Sequence, residues 1–239
     1  MHPRILARDS GCSGGTCPAV YDDDPDLAPE ELVIVGKQPG TGLRARLADR
    51  IAPDEAAVTI SREIVARAMR PEPESVDLTH LMRQFETFAY SAFRLEALQD
   101  YAGTGRDDEW ITLLKAGRRW SKTFQRVHVI TEPLTYAMQE ELTAGYEGNV
   151  AAGEDIRVIP VASVTNWPSD IPGSDFWLFD SIKLYRMLYQ GGRCTDAFRI
   201  YDPHEIMQAC LARDAALHRA VPWRAYIASR PDLQRRVAQ

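Results

Sequence analysis

Two apolar, β-branched segments with a helical stretch between them constrain the fold most strongly. The segments are FQRVHVIT (Phe124–Thr131) and DIRVIPV (Asp155–Val161), and both have the length and composition of strands. The stretch that joins them, EPLTYAMQEELTAGYEGNVAAGE, has the pattern of a helix with a proline near its first turn. A connection of this length makes the two strands parallel, with a right-handed crossover. The sequence therefore predicts an α/β domain.

The segment after this crossover predicts a hairpin. DFWLFD (Asp175–Asp180) and IKLYRMLYQ (Ile182–Gln190) are two strand-like runs with a very short turn between them, and Asp202–Ala220 closes the domain as an amphipathic helix. Upstream, the apolar spacing of Leu78–Tyr101 predicts one long helix, and Asp107–Gly117 predicts a second. We therefore expect a mixed sheet with helices packed against it.

A proline-rich acidic stretch, MRPEPESVD (Met69–Asp77), predicts a linker and places a domain boundary near residue 72. Residues 1–72 contain a loop rich in cysteine and glycine, the strand ELVIVGKQ and the segment AAVTISREIVARAM, a strand that runs into a helix. We expect this part to be a small α+β module. Residues 73–239 then form the α/β domain.

Composition predicts a folded cytoplasmic protein that does not enter a membrane. Of the 239 residues, 45% are hydrophobic, yet no run of eighteen apolar residues occurs. The N-terminal stretch MHPRILARDSGCSGG lacks the apolar core of a secretory signal. Four cysteines in a chain of this length do not make a disulfide framework, so we expect reduced thiols.

The net charge is −6 and the pI is near 5.4. Such a surface repels a polyanion, because binding to phosphates requires a field of lysine and arginine. The sequence therefore argues against direct binding of nucleic acid.

Four motifs, FRLEALQDY, VITEPLTYAMQEEL, NVAAGEDIRVIP and DFWLFD, carry a resemblance to a known family. The segment that contains them, residues 80–225, resembles an actinobacterial family of unknown function whose members are encoded beside helix-turn-helix regulators. The first 70 residues, through GCSGGTCPAVY, ELVIVGKQ and AAVTISREIVARAM, are similar to short companion proteins of the same gene neighbourhoods. The resemblance implies a natural fusion whose protein partner is a helix-turn-helix transcriptional regulator.

The order of elements also resembles one half of the phospholipase D superfamily. Its members attack phosphorus with the histidine of a motif that runs His, any residue, Lys, four residues, Asp. With the final aspartate aligned on Asp180, the histidine position holds Gly173 and the lysine position holds Asp175. Phosphoryl transfer needs a nucleophile and cationic groups, so the resemblance implies a degenerate half-fold without catalytic residues.

The hairpin is the strongest candidate site. Asp175 and Asp180 flank its first strand, with Trp177 between them, and the acids could face Arg126 or Arg157 on neighbouring strands. Carboxylate and guanidinium groups pair directionally, which suits a ligand-binding cleft. The alternative is that two acids at the ends of a buried strand are solvated or cap neighbouring backbone. Both interpretations remain open.

His128 and Glu141 complete the predicted cleft. On a strand, Val127 and Val129 face away from His128, so the histidine can point into a pocket, although the residue type favours a satisfied core or surface histidine. Glu141 could act as a general acid or base if burial raised its pKa.

Arg94 and Glu96 lie two residues apart on the predicted long helix. Residues at this spacing point in different directions on a helix, so each should find its ion-pair partner elsewhere. We expect an internal ion-pair network around them.

Cys12 and Cys17 are the one weak candidate for a metal site. Their spacing supplies half a zinc site at most, since zinc requires four ligands and no histidine pair has a suitable spacing. Packing of the two cysteines under a strand, or a disulfide between them, explains the pair equally. No other metal site and no cofactor is predicted.

Together these features predict a non-catalytic regulatory protein that binds a small ligand or a protein partner. One alternative is an enzyme that acts on a phosphate-bearing or nucleotide substrate through carboxylates and arginines, with Glu141 and Asp180 as the working groups. Another is a structural adaptor. A homodimer also remains open.

Overall fold

The computed structural model describes residues 4–8, 17–22, 32–48, 50, 56–101 and 108–237. The chain divides into two compact units, Met1–Arg70 and Pro71–Gln239, next to the predicted boundary at 72. No helix within the described ranges has the length and apolar character required to cross a membrane.

The first unit contains a three-stranded antiparallel sheet and two short helices. The strands lie in the order β1 (Arg4–Arg8), β2 (Ala19–Asp22), β3 (Val33–Val35), and the helices are α1 (Thr41–Leu47) and α2 (Arg62–Ala68). Helix α2 begins after a serine whose hydroxyl accepts a hydrogen bond from a backbone N–H of its first turn. Its buried isoleucine packs against β1 and β2. The predicted strand at its N-terminal side is reduced to one bridge between Lys37 and Thr59.

Cys17 is buried in the first unit and belongs to a disulfide. The expectation of reduced thiols is therefore wrong for this residue. A sulfur in a disulfide is not a thiolate, so Cys17 in this state is not a ligand for zinc. Cys12 lies outside the described residues. Cys194 and Cys210 are free.

The second unit is built on eight strands and seven helices within the described ranges. In chain order the elements are β4 (Glu74–Val76), α3 (Leu78–Thr87), β5 (Ser91–Glu96), α4 (Asp108–Arg119), β6 (Thr123–Thr131), α5 (Tyr136–Glu140), a π-helical segment (Glu141–Gly145), α6 (Tyr146–Ala152), β7 (Glu154–Val161), a short 3-10 turn (Val164–Asn166), β8 (Phe176–Phe179), β9 (Lys183–Gln190), β10 (Arg193–Ile200), α7 (Pro203–Arg219), β11 (Val221–Pro222), α8 (Trp223–Ala228) and α9 (Pro231–Val237).

The predicted α/β class with a mixed sheet is confirmed. The strand order is β11-β7-β6-β5-β8-β9-β10-β4, with β5, β6 and β7 parallel and the other pairings antiparallel. The crossover between β6 and β7 and the hairpin of β8 and β9 both form. The strands β6, β7 and β8 carry or flank the predicted site residues other than Glu141.

The long helix predicted over Leu78–Tyr101 is wrong in its second half. Helix α3 ends at Thr87, and Ser91–Glu96 forms β5 in the middle of the sheet. Phe93 and Leu95 face one side of the sheet, while Ala92 faces the other. The apolar spacing of this stretch fits a helix and a doubly buried strand alike, and its pairing with β6 and β8 decides for the strand.

The two faces of the sheet have different cores. One face is covered by α7, whose alanines pack on an apolar layer from β5, β6, β7 and β8. The opposite face carries two separate apolar clusters. We call them the aromatic cluster, with α3 and α4 over Phe124, Trp177 and Phe179, and the outer cluster, with α5, the π-helical segment, α8 and α9 over Ile130 and Ile156. Polar residues of β5 and β6 lie between these clusters.

Asp180 fastens the turn between β8 and β9 to the start of β5. Its carboxylate accepts hydrogen bonds from the backbone N–H groups of Ala89 and Tyr90 at 2.7 Å and of Ser91 at 2.9 Å. Asp180 and Ser181 have φ values of 51° and 60°, a conformation that aspartate tolerates better than most residues. The turn therefore depends on this side chain.

We expect Asp180→Ala to lower the free energy of unfolding by about 1–3 kcal/mol, because three backbone donors lose their acceptor. The free energy of unfolding of Asp180→Asn should lie between those of Asp180→Ala and the wild type, since the amide keeps one of the two acceptor oxygens. Urea unfolding of the three proteins measures the effect. An Asp180→Ala protein as stable as the wild type would contradict this role.

Candidate functional site

A cleft of about 930 Å³ opens between the two apolar clusters on the side of the sheet opposite α7. One wall is apolar and comes from α3 and α4. The other wall comes from the π-helical segment and α6, and the floor comes from β5, β6, β8 and β9. The residues that line it are Leu78, Leu81, Met82, Phe85, Arg94, Tyr101, Trp110, Ile111, Arg126, Glu140, Glu141, Ala144, Gly145, Tyr146, Glu147, Gly148, Asn149, Trp177, Met187, Tyr189, Gly192 and Cys194.

The floor of the cleft holds an ion network built on strand register. Arg94 of β5 and Arg126 of β6 are paired positions of the parallel sheet and point to the same face. Glu96 joins them, with its Oε1 2.9 Å from Arg94 Nη1 and 3.0 Å from Arg126 Nη1. Arg126 Nε also donates to Glu154 Oε1 of β7 at 2.8 Å. The carboxylate of Glu96 thus bridges the two guanidinium groups, and Glu154 adds a second acid to Arg126.

This network is almost completely removed from water. The side chains of Glu96 and Glu154 are each 1% exposed, that of Arg126 is 8% exposed and that of Arg94 is 18% exposed. Burial alone raises the pKa of Glu96, but Arg126, Arg94 and His128 act in the opposite direction and lower it to about 2. Glu96 is therefore ionised at neutral pH and stays paired.

Asp175, at the start of β8, accepts four hydrogen bonds. Its donors are the hydroxyls of Tyr101 at 2.6 Å and Tyr189 at 2.8 Å, and the backbone N–H groups of Ala97 at 2.8 Å and Leu98 at 3.3 Å. Burial raises the pKa of both tyrosines, so they remain protonated donors. Asp175 therefore anchors the chain after β5 and fixes two phenols at the rim of the cleft.

Trp177 and Arg94 meet at the floor of the cleft. The Arg94 guanidinium carbon lies 5.5 Å from the ring centroids of both Trp177 and Tyr101, which is cation–π range. On its other side Trp177 packs edge-on against Phe85, with ring centroids 4.8 Å apart. The indole thus joins the ionic floor to the apolar wall.

Glu141 and His128 lie at the base of the opposite wall. Glu141 is the first residue of the π-helical segment, a helical irregularity that occurs often at functional sites. Burial raises the pKa of Glu141, and the charge of Glu96 adds to this effect. His128 is fully buried, with Nδ1 2.7 Å from the Tyr146 hydroxyl and Nε2 2.8 Å from the Leu98 carbonyl oxygen. The predicted placement of His128 opposite its valine neighbours is correct.

Of the predicted site residues, Arg126, His128, Glu141, Asp175 and Trp177 come together around the cleft and its floor.

The structure does not bring Asp180 and Arg157 to the cleft. Asp180 follows β8 while Asp175 precedes it, so a whole strand separates the two carboxylates. Arg157 is offset by one residue from Ile156, the register partner of Arg126, and therefore lies on the α7 face of the sheet. There its Nε contacts Asp155 at 3.1 Å. The prediction that these two residues line the cleft is wrong.

Several residues of the site were not selected from the sequence. The sequence does not single out Glu154, Tyr146 and Tyr189, and the helix predicted over Leu78–Tyr101 would keep Arg94 and Glu96 apart. On β5 these last two residues point to the same face and pair directly. The available signal was the charge inside apolar strands, in AFRLE and FQRVHV, since buried charges are rare unless they are paired.

Comparison with family models identifies a match over residues 79–228 to the Domain of unknown function DUF6879. The chain belongs to this family. The DUF6879 region contains every residue of the cleft except Leu78. None of the curated proteins compared with the chain matches its sequence.

Solved structures resemble the chain at low identity. Nuc, a phospholipase D family member from Salmonella typhimurium, shares 11% identity at a TM-score of 0.42, over 63% of this chain and 98% of its own. The archaeal chromatin protein TrmBL2 shares 10% identity at a TM-score of 0.40, over 67% of this chain and 58% of its own. Phosphatidylserine synthase of Haemophilus influenzae Rd KW20 shares 10% identity at a TM-score of 0.40, over 89% of this chain and 55% of its own.

A charge substitution in the network tests whether it stabilises the DUF6879 fold. Glu96→Gln removes the charge that Arg94 and Arg126 share, and we expect a loss of about 3–5 kcal/mol near neutral pH. The folded pKa of Glu96, about 2, lies below its ordinary value of 4.5. The contribution of Glu96 to the free energy of unfolding is therefore complete above pH 4.5 and is lost as the pH falls towards 2. The difference in stability between the wild type and Glu96→Gln should shrink over this pH range.

Glu147→Gln is the matched control for urea unfolding at a series of pH values. Glu147 Oε1 lies 2.7 Å from Arg224 Nη2, but these side chains are 60% and 64% exposed. An exposed pair of this kind contributes at most about 1 kcal/mol. Equal losses in the two variants would contradict a stabilising role for the buried network.

Proposed function

We propose that this protein is a non-catalytic binding protein whose cleft takes a small organic molecule that is uncharged or positively charged. The observation that carries the proposal is a large cavity with an aromatic wall, set over arginines that are already neutralised by buried acids.

The size and shape of the cleft suit a small molecule. Its volume of about 930 Å³ falls in the range of roughly 300–1,000 Å³ that is usual for ligand pockets. Phe85 packs edge-on against both Trp110 and Trp177, with centroid separations of 5.1 and 4.8 Å. These rings hold one another in place, so the apolar wall exists before a ligand arrives, which reduces the ordering cost of binding.

The charge of the cleft disfavours an anionic ligand. Arg94 and Arg126 are its cationic lining residues, and both are paired with Glu96. A phosphate could reach them only by competing with carboxylates that have no access to water, and leaving a buried carboxylate unpaired is costly. Glu140 and Glu141 line the facing wall. The field in the cleft therefore favours an amine or an uncharged group.

The lining residues offer little for nucleophilic catalysis. Among the described residues that line the cleft there is no serine, threonine, histidine or lysine. Burial raises the pKa of the Cys194 thiol, which disfavours the reactive thiolate. The alternative, an enzyme for phosphate-bearing substrates, requires Glu141 and Asp180 to act together. Asp180 lies outside the cleft, at the end of β8, where its carboxylate accepts hydrogen bonds from backbone N–H groups. Binding is thus better supported than catalysis.

The regulatory part of the proposal comes from the sequence resemblance. Actinobacterial relatives encoded beside helix-turn-helix regulators imply that occupancy of the cleft is read by such a regulator, in the cytoplasm. The net charge of −6 favours a protein partner over direct contact with nucleic acid. A structural adaptor that carries no ligand is the competing interpretation.

Thermal unfolding with four groups of compounds tests the ligand proposal: amines, uncharged aromatic heterocycles, nucleoside monophosphates and sugar phosphates. A ligand at about 100 times its Kd stabilises the folded state by about 2.7 kcal/mol, or about 5–10 °C in Tm for a chain of this size. We expect such shifts from amines or heterocycles and none from the phosphates.

Two tryptophan substitutions locate the bound compound. Ala144→Trp fills the cleft from the π-helical segment, so the shift should disappear. Ala151 is exposed on α6 and does not line the cleft, so Ala151→Trp should keep the shift. Stabilisation by phosphates alone, or by no compound at all, would contradict the proposal, and the second result would favour the adaptor.

Co-expression with the helix-turn-helix regulator encoded nearest to its gene tests the partner proposal. We expect the two proteins to elute together in size-exclusion chromatography. Addition of a cleft ligand should change the affinity of the two proteins for each other. Two binding sites are coupled when both ligands favour one of the same two conformational states. Separate elution with and without the ligand would contradict a regulator as the partner.

A further inference from the structure

Three potential metal ligands meet beneath the cleft: Glu96 at the end of β5, His128 in the middle of β6 and Glu141 at the start of the π-helical segment. One ligand atom from each residue lies within 4.8 Å of the ligand atoms of the other two. Metal–ligand bonds of about 2.0–2.2 Å to nitrogen and oxygen place the ligands of one ion up to about 4 Å apart. A small inward movement of side chains is therefore enough to enclose an ion.

The hydrogen bonds of His128 prepare one of its nitrogens for a metal. Nε2 lies 2.8 Å from the Leu98 carbonyl oxygen, which can only accept, so Nε2 carries a proton. Nδ1 is then an acceptor, which lies 2.7 Å from the Tyr146 hydroxyl and 3.5 Å from Glu96 Oε2, and an ion that binds Nδ1 takes the place of this hydroxyl. A ring N–H fixed on a backbone carbonyl, with the other nitrogen turned to the ion, is the usual arrangement of a metal-binding histidine.

The contact between Glu96 and His128 lacks a bridging proton in this arrangement. The Tyr146 hydroxyl, 2.7 Å from Nδ1, has a single proton and donates it to that nitrogen. Glu96 Oε2, 3.5 Å from Nδ1, then receives no proton from the ring. A cation that displaces the Tyr146 hydroxyl from Nδ1 would be held by both atoms.

The charges around the site leave room for a divalent cation. Four carboxylates, from Glu96, Glu141, Glu154 and Asp175, surround the guanidinium groups of Arg94 and Arg126. Glu96, Glu154 and Asp175 each form an ion pair with at least one of these arginines, and Glu141 forms none among the described ion pairs. Within the described part of the chain, no group donates a hydrogen bond to the Glu141 carboxylate, although this residue is half-buried. A divalent ion would supply the Glu141 carboxylate with a partner of opposite charge.

We propose that Glu96, His128 and Glu141 bind one divalent transition-metal ion at the base of the cleft. Two carboxylate oxygens and one imidazole nitrogen suit Mn²⁺ or Zn²⁺ better than Ca²⁺ or Mg²⁺, which prefer all-oxygen sites. Three protein ligands leave coordination positions open towards the cavity. The site goes beyond the proposed binding function, because it depends on no organic ligand.

Titration of the full chain with Mn²⁺, after removal of metal by a chelator, tests the site. Mn²⁺ prefers nitrogen and oxygen ligands, so the free thiols of Cys194 and Cys210 do not compete as they would for Zn²⁺. Loss of the electron paramagnetic resonance signal of aqueous Mn²⁺ reports binding, and calorimetry with Zn²⁺ provides a second measurement. We expect one ion per chain with micromolar affinity.

Glu141→Gln and Glu140→Gln form the matched pair of variants. Both remove one acid from the wall of the cleft, but only Glu141 belongs to the triad. Loss of a residue that supports a ligand costs roughly 10–100-fold in affinity, so loss of the ligand itself should weaken Mn²⁺ binding by at least about 100-fold. Glu140→Gln should bind as the wild type does. Glu141→Gln should fold normally, since none of the described residues donates a hydrogen bond to its carboxylate.

Three results would overturn the site: no binding of either ion below about 1 mM, equal binding by wild type and Glu141→Gln, or equal loss in both variants. Nitrogen-15 chemical shifts of His128 in the metal-free protein provide a separate check. Protons on both ring nitrogens would mean that an ion pair with Glu96 fills the place of the metal, and would also overturn it. A negative result here leaves the ligand screen unaffected, because that screen is run without added metal.

Discussion

The parallel register of β5 and β6 sets Arg94 beside Arg126, and most of the second unit follows from the need to neutralise this pair. Like charges cannot remain side by side in a dry interior without compensation. Glu96, two positions further along β5, and Glu154, on the adjacent strand, supply the compensation. A slip of one residue in either strand would turn these groups towards the alanines of α7, so the ion network also specifies the register.

The same network explains why the helices on this side of the sheet form two groups. Apolar side chains cannot supply the hydrogen bonds that this row of buried charges requires, and the aromatic cluster and the outer cluster lie on either side of it. The space between the two groups of helices is the cleft. Its position above the central strands is therefore a consequence of which strands carry the charges.

The sequence predicted the α/β class, the β6–β7 crossover and the hairpin because each produces a local pattern of apolar residues. It failed where neighbours along the chain do not determine the neighbours in space. AFRLE satisfies both helical and extended spacing, and pairing with β8 from far along the chain decides between them. Asp175 and Asp180 looked alike in sequence, but each accepts hydrogen bonds from a different backbone segment at a different end of β8. Arg157 was assigned to the wrong face because the register of β7 cannot be read from its sequence.

The π-helical segment determines which residues of its helix can act together. Five residues correspond to a rotation of about 140° around an α-helix, which would turn Glu141 and Tyr146 well away from each other. In the segment, the N–H of Tyr146 bonds to the carbonyl oxygen of Glu141, and the wider turn brings the two positions nearer to alignment. An acid and a phenol from one helix thus both reach the cavity. Deleting a single residue from the π-helical segment would restore ordinary α-helical geometry and rotate either Glu141 or Tyr146 away from the cavity.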